Sequence, residues 1–240
     1  MKPEYLSEIV MKSLPEKESY LWEIPALQSL FELGKMEFKK QVTFFVGENG
    51  TGKSTLLEAI AVMMGFNAEG GSRDFNFSTF DSHSELYQYL SPVRRNYPKD
   101  GFFLRAESFY NASSYIELNG NIKRYGGTSF HERSHGEAFM DLVSNRFEGN
   151  GLYLLDEPEA ALSPQRLLSL LVAIDNLVKS NSQFIIATHS PILMAYPDAE
   201  ILQFDEYGIH PVEYKETDQY LITKQFLDNP QHMIDILLEK

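Results

Sequence analysis

The chain of 240 residues contains no cysteine, which excludes both a disulfide framework and a thiolate metal site. That composition fits a reducing compartment, and the expected location is the cytoplasm. No apolar run approaches the roughly 20 residues needed to span a bilayer, and Met1-Lys-Pro-Glu-Tyr5 lacks the apolar stretch of a secretory leader. Basic residues are scarce: 21 Lys+Arg against 34 Asp+Glu give a net charge of −13, which argues against a broad basic face for sequence-independent nucleic-acid binding. Arg94-Arg95 near Lys99, and Arg124 near Arg133, are the basic concentrations, and both read better as solvated faces or phosphate contacts than as a DNA groove. No sustained heptad pattern runs between Gly65 and Ser134, so a long coiled coil is not expected.

What is present is hydrophobic content of 43%, ample for a substantial core, and one stretch on which the rest depends. Gly47-Glu48-Asn49-Gly50-Thr51-Gly52-Lys53-Ser54 fits the phosphate-loop pattern G-x-x-x-x-G-K-[ST] at every fixed position. Val42 to Val46 before it reads as a buried strand, and Thr55 to Met64 after it as a helix stopped by Gly65. A triphosphate needs many donors at close range, and backbone N–H groups at a helix N-terminus supply them together with the positive end of the helix dipole. Lys53 then brings a full charge to the β/γ oxygens, and the Ser54 hydroxyl is placed to ligate Mg²⁺.

Upstream, Tyr5 to Met11 alternates as a first strand, Ser19 to Ile24 suggests a second ended by Pro25, and Leu27 to Leu33 a short helix or turn capped by Gly34. Tyr20 and Trp22 have two readings, stacking on a purine or packing in the core; for Trp22, the single tryptophan, the core is favoured. Residues 66–130 are irregular, with a helix expected over Ser84 to Arg95, a strand over Gly101 to Arg105, and a hairpin over Tyr115 to Lys123 turning at Asn119-Gly120. Arg105, Glu107 and Ser108 at the end of that strand either face a γ-phosphate or form an ordinary polar strand end.

Ser134-His-Gly136-Glu137 opens a helix, with a serine placed like an N-cap and an acid in the first turn. Gly151 to Asp156 is an apolar strand ending in two consecutive carboxylates, Asp156 and Glu157. At that strand end Asp156 is placed for a Mg²⁺ shell and Glu157 for a water in line with the γ-phosphate. Two adjacent acids buried there without a purpose would be costly. Ser163-Pro164 starts an amphipathic helix through Lys179, and Phe184 to Ala187 is a further buried strand ending in Thr188-His189-Ser190. Ligands of such sheets bind at the carboxyl ends of the strands. A strand over Glu200 to Phe204, a return over Gly208 to Tyr214, and helices over Asp218 to Leu227 and Gln231 to Leu238 complete the chain. The apolar stripe of Met233, Ile234, Leu237 and Leu238 is expected to pack on the sheet.

The order GENGTGKS, SHGE, LYLLDEP, AALS and THS resembles that of the ABC-type ATPases, and its wording is similar to the small stand-alone ATPases related to the SMC, RecF-like and overcoming-lysogenization (AAA-type) ATPases. The likeness covers about residues 1–210. It implies an α/β P-loop NTPase fold with a mostly parallel core sheet, antiparallel N-terminal strands and a helical or irregular insertion. The whole of 1–240 is then one domain, with 66–150 as its insertion and signature region. By that resemblance Gly47 to Thr55 bind nucleotide, Ser54 and Asp156 hold Mg²⁺, and Glu157 is the general base or positions water. His189 senses the γ-phosphate. Ser134, Gly136 and Glu137 form the signature that touches ATP bound to the opposite subunit of a homodimer, and Ala160 to Ser163 link the two sites. Two departures stand out: the signature reads Arg-Ser-His-Gly-Glu, and no glutamine sits where the family's Q-loop lies. The implied activity is Mg-dependent ATP hydrolysis by a soluble switch with a protein or DNA partner. The alternatives are a transporter's nucleotide-binding subunit and an ATP sensor that does not hydrolyse.

Overall fold

The computed structural model describes residues 4–72, 84–106 and 134–239. Among them is a six-stranded sheet of β3 (Val42–Gly47), β5 (Asp100–Arg105), β6 (Gly151–Asp156), β7 (Gln183–Ala187), β8 (Glu200–Asp205) and β9 (Gly208–Pro211). Its spatial order is β5-β6-β7-β3-β8-β9, parallel throughout except for the antiparallel return of β9. A smaller antiparallel sheet, ordered β2-β1-β4, comprises β1 (Leu6–Met11), β2 (Lys35–Glu37) and β4 (Leu90–Arg94). Buried Gln183 joins the two sheets, accepting from the Tyr5 and Leu6 amides and donating to the Leu6 carbonyl. This is the mostly parallel core with antiparallel N-terminal strands that the sequence implies.

The central strands are apolar runs because both of their faces are covered. Phe45, Phe103, Leu152, Leu154 and Ile185 pack to one side beneath α1 (Pro25–Leu33) and α2 (Lys53–Met63). The alternate residues Phe44, Phe102, Tyr153, Leu155 and Ile186 pack to the other, beneath α3 (His135–Arg146) and α4 (Pro164–Lys179). The period of two thus assigns each strand residue to one of two cores. α5 (Pro191–Met194) lies between β7 and β8, and α6 (Asp218–Asp228) and α7 (Pro230–Leu237) follow β9.

Three expectations are corrected. Ser19 to Ile24 is not a strand: Ser19 accepts from the Leu21 amide and caps a 3-10 turn over Tyr20–Glu23, and Pro25 opens α1 directly after it. Ser84 to Arg95 is not a helix: Ser84 caps a 3-10 turn over Glu85–Tyr89, and Pro92, which a helix interior would not tolerate, lies in the edge strand β4. The 233–238 stripe does not pack on the sheet. Both sheet faces are already occupied, α7 rests on α6, and Leu237 and Leu238 are 70% and 58% exposed. The expected hairpin at 115–123 lies outside the described residues. Trp22 packs edge-on against Phe31 with centroids 4.9 Å apart, as the core reading holds, while Tyr20 is exposed and its hydroxyl meets Ser84 Oγ at 2.7 Å.

Candidate functional site

The carboxyl ends of β3, β5, β6 and β7 converge, and the chemistry-bearing residues lie there. Gly47 ends β3 with φ of 138°, and a Cβ on it would stand 2.1 Å from the Phe204 carbonyl oxygen of β8. Only glycine lets the strand turn out past its neighbour. Glu48, Asn49 and Gly50 form an exposed loop, tightened by the Thr51 hydroxyl donating to the Glu48 carbonyl at 2.9 Å. Gly52 is the N-cap of α2 and contributes no side-chain cap. The amides of Lys53, Ser54 and Thr55 therefore open the helix with its positive dipole end and without side-chain competition, as an anion requires.

Lys53 is 4% exposed and its Nζ donates back to the Gly47 and Glu48 carbonyls at 2.8 and 2.7 Å. Burial lowers its pKa, and the surrounding carboxylates of Glu157, Asp156, Glu48 and Glu159 pull the other way. Ser54 Oγ donates to Asp156 Oδ1 at 2.8 Å, joining the first turn of α2 to the end of β6. Hydroxyl plus carboxylate is a hard-oxygen pair suited to Mg²⁺, which keeps waters and phosphate oxygens for its other positions. No cluster of three or more His, Asp or Glu that could hold a metal exists among the described residues.

Glu157 has φ of 49° and ψ of 52°, a left-handed turn directly after the strand. Strand alternation alone would send Asp156 and Glu157 to opposite faces, and this turn brings the second carboxylate round. Its Oε1 lies 3.8 Å from His189 Nε2, a buried atom with no hydrogen-bond partner. The loop carrying His189 is held by Glu159, whose carboxylate accepts from Thr188 Oγ1 at 2.7 Å and from the His189 amide. Glu159 is a residue that sequence reasoning passed over. So is Glu58 of α2, 8% exposed, which accepts from Arg105 Nη1 at 2.7 Å. Arg105 itself, at the end of β5 in register with Asp156, brings Nε to 3.4 Å from Asp156 Oδ2. Glu107 and Ser108 lie outside the described residues.

The structure thus gathers Lys53, Ser54, Asp156, Glu157 and His189 into one group. The 134–137 segment is held elsewhere in the same chain. Ser134 caps α3 in a reciprocal capping box with Glu137. Arg166 of α4 braces both, with Nη1 3.3 Å from Ser134 Oγ and Nη2 3.1 Å from Glu137 Oε1. The bonds from Ser134, reinforced by Arg166, keep the exposed Glu137 carboxyl below its usual pKa. A Cβ on Gly136 would lie 2.6 Å from Arg166 Nη1 and 2.9 Å from the Ala161 carbonyl, so glycine lets α3 approach the 160–163 loop. Ser134 and Glu137 remain exposed. Nothing local in the sequence announced Arg166, whose place follows from the packing of α3 on α4.

Comparison with known proteins agrees with this geometry. An AAA-domain family model matches residues 28–153, just over half of the chain. A second AAA-domain model, whose description names the AbiEii toxin of a type IV toxin–antitoxin system, matches residues 128–195. Structural maintenance of chromosomes protein 6 of Takifugu rubripes is 34% identical over 70 residues, which is 29% of this chain and 6% of that protein. The galactose/methyl galactoside import ATP-binding protein MglA of Vibrio vulnificus is 21% identical over 247 aligned positions, covering 90% of this chain and 49% of that protein. The chain therefore spans about half the length of one curated relative and a small part of the other. Among solved structures, cbiO1 of Clostridium perfringens, part of the ABC transporter complex cbiONQ, shares 20% identity over 99% of this chain and 100% of that one with a TM-score of 0.48. The SMC head domain of Thermotoga maritima shares 19% identity over 89% of this chain and 100% of that one, with a TM-score of 0.45. The phosphate loop, its neighbouring strand ends and the family match together place the chain in the AAA-domain family.

Proposed function

We propose that residues 1–240 form one ATPase domain that binds and hydrolyses ATP as a head-to-tail nucleotide-sandwich dimer. The observation that carries this reading is the 2.8 Å bond from Ser54 to Asp156, with Lys53 and the Glu157–His189 pair beside it at the same strand ends. Mg²⁺, when bound with ATP, supplies positive charge to the β/γ oxygens, and Ser54 and Asp156 are the residues that would hold it. The amides of the 47–55 loop cradle the phosphates, and Lys53 exchanges its two loop carbonyls for phosphate oxygens. Glu157 takes or orients the proton of the attacking water. His189, whose Nε2 lacks a partner, contacts the γ-phosphate. The exposed Ser134, with Gly136 and Glu137, completes the site of a second copy.

The output is that of a switch: ATP closes the dimer and hydrolysis reopens it, with a protein or DNA partner reading the difference. Cytoplasmic action fits this, and among the described residues no helix is long and apolar enough to cross a membrane. A second reading, the nucleotide-binding subunit of a transporter, is favoured by the import protein's likeness over 90% of this chain. Co-purification with a membrane subunit would decide for it. A sensor that binds without hydrolysing is disfavoured by the complete set of Lys53, Asp156, Glu157 and His189.

Light scattering of Glu157→Gln with and without Mg-ATP tests the core of the proposal. A monomer that becomes a dimer only with Mg-ATP is the expected result. A chain that binds ATP and stays monomeric overturns the sandwich.

A further inference from the structure

Four side chains at the strand ends form a chain of contacts that α2 closes into a ring. Ser54 and Glu58 are four positions apart on α2 and so share a face of that helix. Ser54 Oγ reaches Asp156 Oδ1 at 2.8 Å, and Arg105 Nε lies 3.4 Å from the other Asp156 oxygen, Oδ2. Arg105 Nη1 returns to Glu58 Oε2 at 2.7 Å. Glu58 is fixed in turn, its Oε1 accepting from the Ser84 amide at 2.8 Å. The side chains of Arg105, Glu58 and Asp156 are 23%, 11% and 7% exposed, so the ring is shielded from bulk water.

The two ion pairs in this ring are unequal. Arg105 makes its short bond to Glu58, a carboxylate already tied to the backbone, and its longer one to Asp156. Glu58 is thus the anchor, and Asp156 the group being aimed. We propose that Arg105 is a positioning residue for Mg²⁺ binding: it holds Asp156 turned toward Ser54, using Glu58 as its own support. The planar guanidinium serves the two carboxylates from different nitrogens, Nε and Nη1, which a single ammonium cannot reproduce. Arg105 stands at the end of the strand beside β6, at the place where no glutamine is available. This inference rests on the nucleotide reading above.

The test is equilibrium binding of a fluorescent ATP analogue, N-methylanthraniloyl-ATP, to the full chain in EDTA and across a Mg²⁺ titration. The variants are Arg105→Met, Arg105→Lys and Glu58→Gln. Metal-free binding, which depends on Lys53 and the loop amides, is expected to persist in all three. The Mg²⁺ concentration giving half of the metal-dependent gain is expected to rise by about 10–100-fold in Arg105→Met, and by less in the other two. An unchanged Mg²⁺ midpoint in Arg105→Met overturns the proposal, as does loss of metal-free binding in equal proportion, which makes Arg105 a structural residue. Should Arg105→Met fail to fold, Glu58→Gln decides: an unshifted midpoint there overturns the proposal. Failure of the unaltered chain to bind the analogue at all defeats the nucleotide reading, and this inference with it.

Discussion

The strand pair β5–β6 carries an aspartate–arginine pair at each of its ends, and the two pairs are built differently. At the amino end Asp100 and Arg146 meet at 2.5 Å with side chains 10% and 8% exposed. Asp100 also accepts from the Tyr153 hydroxyl at 2.7 Å and the Glu148 amide at 3.1 Å. Burial works to raise the Asp100 pKa, but these three donors outweigh it and hold the carboxyl below its usual range. Burial and the neighbouring Asp100 push the Tyr153 phenol far up. At the carboxyl end the Arg105–Asp156 separation is 3.4 Å, Arg105 is shared with Glu58, and a buried histidine nitrogen nearby has no partner. The same residue types make a network of short, shared bonds in one place, and in the other a longer Arg105–Asp156 contact beside a histidine nitrogen without a partner. Short, shared bonds hold the fold, and the unpartnered His189 nitrogen is a group that a ligand could take up.

Substitutions at the two ends should therefore separate activity from stability. At the carboxyl end, Glu157→Gln is expected to slow ATP turnover by roughly 10²–10⁴-fold while leaving nucleotide binding and the unfolding midpoint in place. Phosphate release and a thermal melt check both halves, and normal turnover would remove Glu157 from its role. At the amino end, Asp100→Asn removes the carboxylate from the buried Arg146–Asp100 pair and should cost about 3–5 kcal/mol in urea unfolding. Turnover per folded molecule should not change.

Acid unfolding sharpens the same contrast. The folded-state pKa of Asp100 is depressed, so its contribution is full above the ordinary carboxylate value and is lost as the pH falls through the lower folded value. Below about pH 4 the unaltered chain should lose stability more steeply than Asp100→Asn.

Smaller effects are expected around the edges of the site. Glu159→Gln places an amide N–H₂ against donors that the carboxylate accepts, Thr188 Oγ1 or the His189 amide. Displacement of His189 should lower kcat by up to about 10²-fold with little change in KM; an unaltered kcat would make the clamp structural only. Gly136→Ala drives a methyl against Arg166 and the Ala161 carbonyl, at a cost of about 1–3 kcal/mol. Weaker ATP-induced dimerisation should accompany it, and light scattering at several protein concentrations would show whether it does.

Much of this arrangement is readable from the chain. The phosphate loop is contiguous, β3, β6 and β7 are apolar runs because both of their faces are covered, and Ser134 and Ser163-Pro164 announce their helices by capping chemistry. What is not readable is what depends on register between distant segments. Arg105 meets Asp156 only because β5 and β6 pair in parallel, and Glu58 resembles any helix glutamate until Arg105 arrives beside it. Arg166 and Glu159 are hidden for the same reason, since their partners come from other elements. The helix expected at Ser84–Arg95 is a 3-10 turn and a strand instead, since Pro92 is not tolerated in a helix interior. The tail stripe failed because an amphipathic pattern does not say whether a surface remains to receive it.

The left-handed backbone of Glu157 sets stability against the proposed activity at a single position. A glutamate held at φ of 49° bears a conformational penalty of about 1–2 kcal/mol that a glycine would escape. The residue that suits the fold best at 157 is thus one with no carboxylate to offer. On the function proposed above, variants selected for heat resistance alone would drift toward that glycine, and they would be recovered as well-folded chains that hold ATP and leave it intact.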